Sequence, residues 1–230
     1  MDKCRRKTVA IIPARANSIG LPNKNLLSLD GTPLWRLAVN QGCRTADMTI
    51  FTSNLPEISQ EDMPQSVRFL RRPDELAGGD VPMAKVVQHV IDTCALCDAT
   101  LILLQPTSPF RADKDVLAAL QLHMKADYEM IVSLTRSDRS ILKHGSLEGE
   151  QFVPVSNPNL CFANRQELPD IYKPNGAVYV FDTTSFQKSK CFPADRMGGI
   201  VMPAERSLDI DTAADFLLAQ NIASENRDHS

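Results

Sequence analysis

The sequence predicts an α/β domain whose mostly parallel sheet is covered by helices on both faces. Two observations carry the prediction. Short β-branched or aliphatic runs alternate with stretches whose apolar residues recur every three or four positions, and 43% of the 230 residues are hydrophobic, enough for one sizeable core. The strands read as residues 8–12, 49–52, 67–70, 100–104, 130–134, 177–181 and 200–202. The helices read as residues 35–43, 82–97, 114–125 and 213–224, with Pro82 suited to a first helical position. Such alternation buries a parallel sheet between two helical layers. At roughly 100–200 residues per domain, residues 1–230 read as one domain.

Residues 135–174 break the pattern. They are polar, dotted with glycine and asparagine, and hold one convincing strand at 152–155. So long an irregular stretch is expected to cover the site or meet a partner subunit. The tail after Glu225 is polar and is expected to fray.

A formal charge of -3 and a pI near 5.8 supply no basic field for wrapping a polyanion, which argues against a nucleic-acid partner. A nucleotide, held by a few placed cations, fits better. The apolar run Val9-Ala10-Ile11-Ile12 stops at Pro13 and Arg15, too short for a signal-peptide core. No run approaches the roughly 18 apolar residues of a membrane span, so the expectation is a cytoplasmic protein with no membrane partner. Cys4, Cys43, Cys94, Cys97, Cys161 and Cys191 are therefore expected as reduced thiols. Cys94 and Cys97 form a CxxC without a second CxxC or a histidine pair, and read as small apolar filler on a helix.

The loop after the first strand contains Arg15 and Lys24, which suit phosphate oxygens, and Ser18 and Asn25, which can donate hydrogen bonds. Gly20 lets backbone N–H groups approach closely. This is not a P-loop, which needs GxxxxGK followed by serine or threonine. A solvated loop with two surface cations is the alternative. A second loop, Gln105-Pro106-Thr107-Ser108-Pro109-Phe110-Arg111, opens on the same edge and is stiffened by two prolines. It offers Gln105, Thr107, Ser108 and Arg111 to a polyhydroxylated, carboxylated ligand at low ordering cost, or else serves only as a rigid turn. In Asp209-Ile210-Asp211, alternation sends Ile210 to the core and both carboxylates to the opposite side, a pair able to hold Mg²⁺. The same Asp211 is also placed to cap the last helix. Lys173 and Asn175 offer a cation and an amide where the chain enters the strand at 177–181 through a tight turn. The histidines His89, His123, His144 and His229 are scattered and receive no role.

Five segments in order resemble the CMP-sialic acid synthetases, or N-acylneuraminate cytidylyltransferases: ARANSIGLPNKNL (14–26), RPDELAGGDVPM (72–83), LLQPTSPFR (103–111), KPNGAVYV (173–180) and DIDT (209–212). The resemblance covers nearly the whole chain. It implies a Rossmann-like sheet and a homodimer whose swapped excursion corresponds to about residues 132–168. It also implies that Ala14, Arg15, Ser18, Lys24 and Asn25 hold the CTP phosphates and that Arg72 with the backbone near Val81 reads cytosine. Gln105, Lys173 and Asn175 would hold an acidic nine-carbon keto-sugar, with Thr107, Ser108 and Arg111 beside them. Asp209 and Asp211 would bind the metal, Mg²⁺ or Mn²⁺, and Arg15, Lys24 and Asp211 would carry catalysis. The implied reaction is attack by the anomeric C2 hydroxyl on the α-phosphate of CTP, giving a CMP-sugar and pyrophosphate.

Three positions depart from that pattern. Ile19 stands where a lysine is usual, Lys173 where an arginine is usual, and Asn54 where an acidic residue is common. Lysine cannot make the fork-shaped pair that arginine makes with a carboxylate. These departures bear on efficiency and on which sugar is used. A Kdo-type cytidylyltransferase is the alternative enzyme, and a nucleotide- or sugar-binding relative with weakened turnover is the alternative of another class.

Overall fold

The structure, a computed structural model, describes residues 6–16 and 20–228, with side chains described as far as Glu225. The first half of the chain forms β1 (Lys7–Ala14), β2 (Ser28–Leu29), β3 (Thr32–Pro33), α1 (Leu34–Thr45), β4 (Met48–Ser53), β5 (Val67–Arg71), α2 (Met83–Thr93) and β6 (Ala99–Leu103). The second half forms α3 (Asp113–Lys125), β7 (Met130–Arg136), β8 (Gly145–Glu148), β9 (Gln151–Pro154), β10 (Tyr172–Asp182), α4 (Thr183–Ser189), β11 (Met197–Val201) and α5 (Ala213–Asp228).

Seven strands make one sheet in the order β11-β7-β10-β6-β1-β4-β5. β10 alone runs against its neighbours β6 and β7, while β1, β4, β5 and β6 pair in parallel and β11 pairs in parallel with β7. Alternation along β1 divides the core. Ala10 and Ile12 pack with Trp35 and Val39 of α1 and Val116 and Leu120 of α3, whereas Val9 and Ile11 pack with Val87 and Ile91 of α2 and Phe186 of α4. Two helical layers on a mostly parallel sheet are what the sequence pattern predicts. No helix among the described residues is long and apolar enough to cross a membrane.

The predicted strands and helices are present, with shifted ends. α2 stops at Thr93 instead of continuing through residue 97. Ala95 takes a left-handed conformation, Leu96 N–H donates to Ile91 O at 2.9 Å, and Ala95 N–H donates to Asp92 O at 3.2 Å. That pair of bonds closes a helix C-terminus, and Leu96 and Ile91 pack in the same cluster. Cys97 consequently lies beyond the helix and is exposed, so only the partly buried Cys94 acts as apolar filler. The segment at 173–177 is already strand, interrupted by a pairing irregularity between Pro174 and Tyr179.

The irregular excursion is shorter at its start than residues 132–168. Val132 is buried within β7, and the chain leaves the sheet only after Arg136. It returns at Tyr172, which pairs with Arg136, and Ser137 N–H donates to Ile171 O at 2.9 Å to close the neck. Beyond the neck lies the hairpin of β8 and β9.

Candidate active site

The chain runs from β1 outward through β4 and β5, then crosses back to place β6 on the other side of β1. Strand order reverses there, and in open α/β sheets the crevice at the carboxyl ends of such strands is where ligands bind. The residues at those ends are Arg15 after β1, Asn54 after β4, Arg72 after β5 and Gln105 shortly after β6. Because β10 runs the opposite way, its amino-terminal residues, Lys173 to Gly176, meet the same edge.

Two clefts adjoin there. The first, of about 280 Å³, is bordered by Arg15, Lys24, Asn25, Arg72, Val81 and Thr107. The second, of about 640 Å³, is bordered by Lys173, Asn175, Gly176, Tyr179, Asp209 and Asp215. Gln105 and Asp211 border both and form the wall between them.

The first cleft is cationic. Arg72 is buried, its Nη2 donates to Thr52 O at 2.9 Å, and its Nε has no hydrogen-bond partner. Burial, with Arg15 nearby, pulls the Arg72 guanidinium down to about 10, so it keeps its charge at neutral pH in surroundings that an anion would relieve. Asn25 Nδ2 donates to Arg15 O at 3.0 Å, which shapes the loop from beneath. Asn54 explains its own departure from the acidic pattern. Its Oδ1 accepts from Ala16 N–H at 3.0 Å while its Nδ2 donates to Asp74 Oδ1 at 3.1 Å. A carboxylate could make the first bond but would confront Asp74 in the second.

Ile210 is fully buried and its N–H donates to Thr107 O at 2.8 Å, while Asp209 and Asp211 both border the second cleft, as alternation requires. Burial pushes the Asp209 carboxyl up, a hydrogen bond with Thr107 opposes the rise, and Asp211 adds to it. Asp209 Oδ1 is buried without a hydrogen-bond partner. Gly176, at φ +77°, turns the chain beneath this carboxylate, where an added Cβ would lie 3.2 Å from Asp209 Oδ2.

Several sequence expectations are corrected. Arg111 does not face either cleft: it is buried, and it donates to Gln41 Oε1 at 2.5 Å, Ala177 O at 2.6 Å and Gln105 O at 3.2 Å. Ser108 is buried against a separate small cavity of about 120 Å³. The Asn175 side chain borders the second cleft but spends its groups internally, accepting from Ser133 Oγ at 2.6 Å and donating to Ser207 Oγ at 2.9 Å. The Ala14 side chain lies in the core, leaving only backbone for a ligand. Asp211 does not cap α5; Thr212 and Asp215 do, with Asp215 N–H donating to Thr212 Oγ1 at 3.3 Å and Asp215 Oδ2 accepting from Thr212 N–H at 2.8 Å. Ser18 and Ile19 lie outside the described residues. Tyr179 is concealed in a run that reads simply as buried strand, although it borders the second cleft and stacks near Phe192 at 6.2 Å between ring centroids.

Strand order and switch point define a Rossmann-like fold. The chain belongs to the Cytidylyltransferase family, whose model matches residues 9–189. It is 30% identical over 221 residues to the N-acylneuraminate cytidylyltransferase of Escherichia coli O18:K1:H7 (strain RS218 / NMEC), covering 95% of this chain and 52% of that one. The chain thus spans about half the length of the N-acylneuraminate cytidylyltransferase it matches there. It is 27% identical over 238 residues to the CMP-N,N'-diacetyllegionaminic acid synthase of Legionella pneumophila, covering 96% of this chain and 98% of that one. Among solved structures, CMP:2-keto-3-deoxy-manno-octonic acid synthetase complexed with CTP superposes with a TM-score of 0.72 at 15% identity, covering 96% of this chain and 99% of that one. That likeness is one of fold.

Proposed function

We propose that this chain couples CTP to a sialic-acid-like nonulosonic acid, forming the CMP-sugar and pyrophosphate. The observation that carries the proposal is the shared wall of Gln105 and Asp211 between a cleft with three cations and a cleft with a lysine and carboxylates. A transferable phosphorus belongs at that boundary, with triphosphate on one side and the sugar on the other. The names of the Escherichia coli and Legionella relatives support the reading.

In this proposal Arg15 and Lys24 bind the triphosphate, and Arg72 with the backbone around Val81 holds the cytosine. Lys173 binds the sugar carboxylate as a point charge, and Gln105 orients the C2 hydroxyl toward the α-phosphate. The new bond joins that oxygen to phosphorus while the bond to pyrophosphate breaks and the hydroxyl proton passes to solvent, and the cations neutralise the charge gathering on the departing group. Asp209 and Asp211 would hold Mg²⁺ or Mn²⁺. The fit rests on the buried, partnerless Asp209 Oδ1 and on a two-carboxylate set that leaves room for water and phosphate oxygens. Among the described residues no cluster of three or more histidine, cysteine or acidic side chains competes for that role. Bound there, the ion would supply electrostatic stabilisation of the phosphates.

We also propose a cytoplasmic homodimer formed through the excursion. Leu147, Phe152, Val155 and Phe162 stand exposed on it, Phe162 at 91%, and a second copy would cover them. Pyrophosphate release from CTP with a panel of keto acids tests the substrate. The expected result is turnover with a nonulosonic acid well above that with Kdo; the reverse preference, or none with any sugar, would overturn it.

A further inference from the structure

Lys24 borders the nucleotide cleft with its ammonium already on a carboxylate. Its Nζ lies 2.8 Å from Asp211 Oδ1, and its side chain is only 12% exposed although the aspartate side chain is 70% exposed. Two backbone contacts fix the place where they meet. A Cβ on Gly20 would lie 2.5 Å from Asp211 O, so the phosphate loop packs directly on the Asp211 backbone. On its other side, Ile210 N–H donates to Thr107 O at 2.8 Å. The backbone at Ile210 and Asp211 is therefore held by two loops while the Asp211 carboxylate carries the ammonium as its cation. Next to it Asp209 Oδ1 is buried without a partner. An ammonium on one carboxylate and a divalent ion on the pair repel each other, so the two compete for Asp211.

We propose that Lys24 is a resident cation that keeps a divalent ion off the Asp209–Asp211 pair until nucleotide arrives, and that the triphosphate makes room for the ion by drawing Lys24 away. The inference rests on the reading that this pair holds the metal. Lysine suits such an exchange, because its charge sits on a flexible stem with three rotatable donors and can trade a carboxylate for a phosphate by a change of rotamer. Nucleotide and metal then bind with positive coupling, each raising the affinity of the other by the same factor. The empty protein holds little metal, and CTP recruits it at the moment it is needed.

The test reads Mn²⁺ binding rather than turnover, by electron paramagnetic resonance of free Mn²⁺, with no sugar present. Without nucleotide, Lys24→Met and Lys24→Gln should bind Mn²⁺ at least about 5-fold more tightly than wild type, the lower end of ordinary coupling factors. Lys24→Arg, which keeps a cation on Asp211, should stay as weak as wild type. With CTP present, and binding of Mn²⁺ to free CTP subtracted, wild type should gain more affinity than either neutral variant. Equal or weaker Mn²⁺ binding by both neutral variants would overturn the proposal while leaving the metal site in place. If, with CTP present, Asp209→Asn and Asp211→Asn bind Mn²⁺ as wild type does, the metal assignment itself falls and takes the proposal with it.

Discussion

Asp209 combines two demands that oppose each other. Its carboxyl is buried enough to be pushed above the ordinary range, so its charge costs the empty fold stability, yet a metal requires that charge. Asp209→Asn should therefore raise the thermal midpoint of metal-free protein at neutral pH while lowering metal-dependent turnover by about 10²–10³. The sign follows from linkage: with the folded pKa above the unfolded one, the ionised carboxylate destabilises the fold above the folded pKa, and that penalty fades as pH falls through it. The stability gap between variant and wild type should accordingly shrink on acidification, and a gap that widens would refute the explanation. The cap of α5 separates similarly. Thr212→Ala should cost about 1 kcal/mol in urea denaturation, whereas Asp211→Ala should spare the cap. Arg111 shows what sequence conceals at this scale. A guanidinium between polar loop residues looks like a ligand contact, but burial pulls it down to about 9 and three internal acceptors take up its hydrogen bonds. Arg111→Met should lose about 2–4 kcal/mol, since Gln41 Oε1 and Ala177 O would be left wanting donors; an unchanged urea midpoint would contradict this.

At the scale of elements, short apolar runs and three-four spacing identify β1, β4, β6, α1 and α3 because each records its own burial in its own residues. The direction of β10 is not recorded that way. Its partners β6 and β7 are distant in sequence, and an antiparallel strand buried on both faces carries the same apolar run as a parallel one. The boundary of the excursion is obscured for a similar reason: Thr135 looks like a loop residue but is buried in β7, the strand in which Ser133 Oγ donates to Asn175 Oδ1. Because Arg136 pairs with Tyr172, the excursion leaves and returns through adjacent backbone. Replacing residues 139–169 with a short linker should thus preserve the sheet and CTP binding while giving a monomer by sedimentation. A deletion variant that remains dimeric would place the interface elsewhere.

For the whole molecule, the switch point beside β1 makes the site legible before any side chain is assigned. The loops after β1 and β6 are legible in the sequence as candidate ligand loops, and the structure brings Arg15, Lys24, Arg72, Gln105, Lys173, Asp209 and Asp211 to one edge. What sequence does not separate are residues lining the clefts, such as Thr107, from residues bracing them, such as Asn175, because both kinds are small, polar and placed in the same turns. The proposed reaction transfers a phosphorus across the wall of Gln105 and Asp211. Phosphorus NMR of a mixture of protein, CTP, Mg²⁺ and a nonulosonic acid tests it most directly. The predicted result is loss of the three CTP resonances with equal appearance of one phosphodiester phosphorus and of pyrophosphate. Persistence of CTP, or its conversion to CDP and orthophosphate, would contradict it.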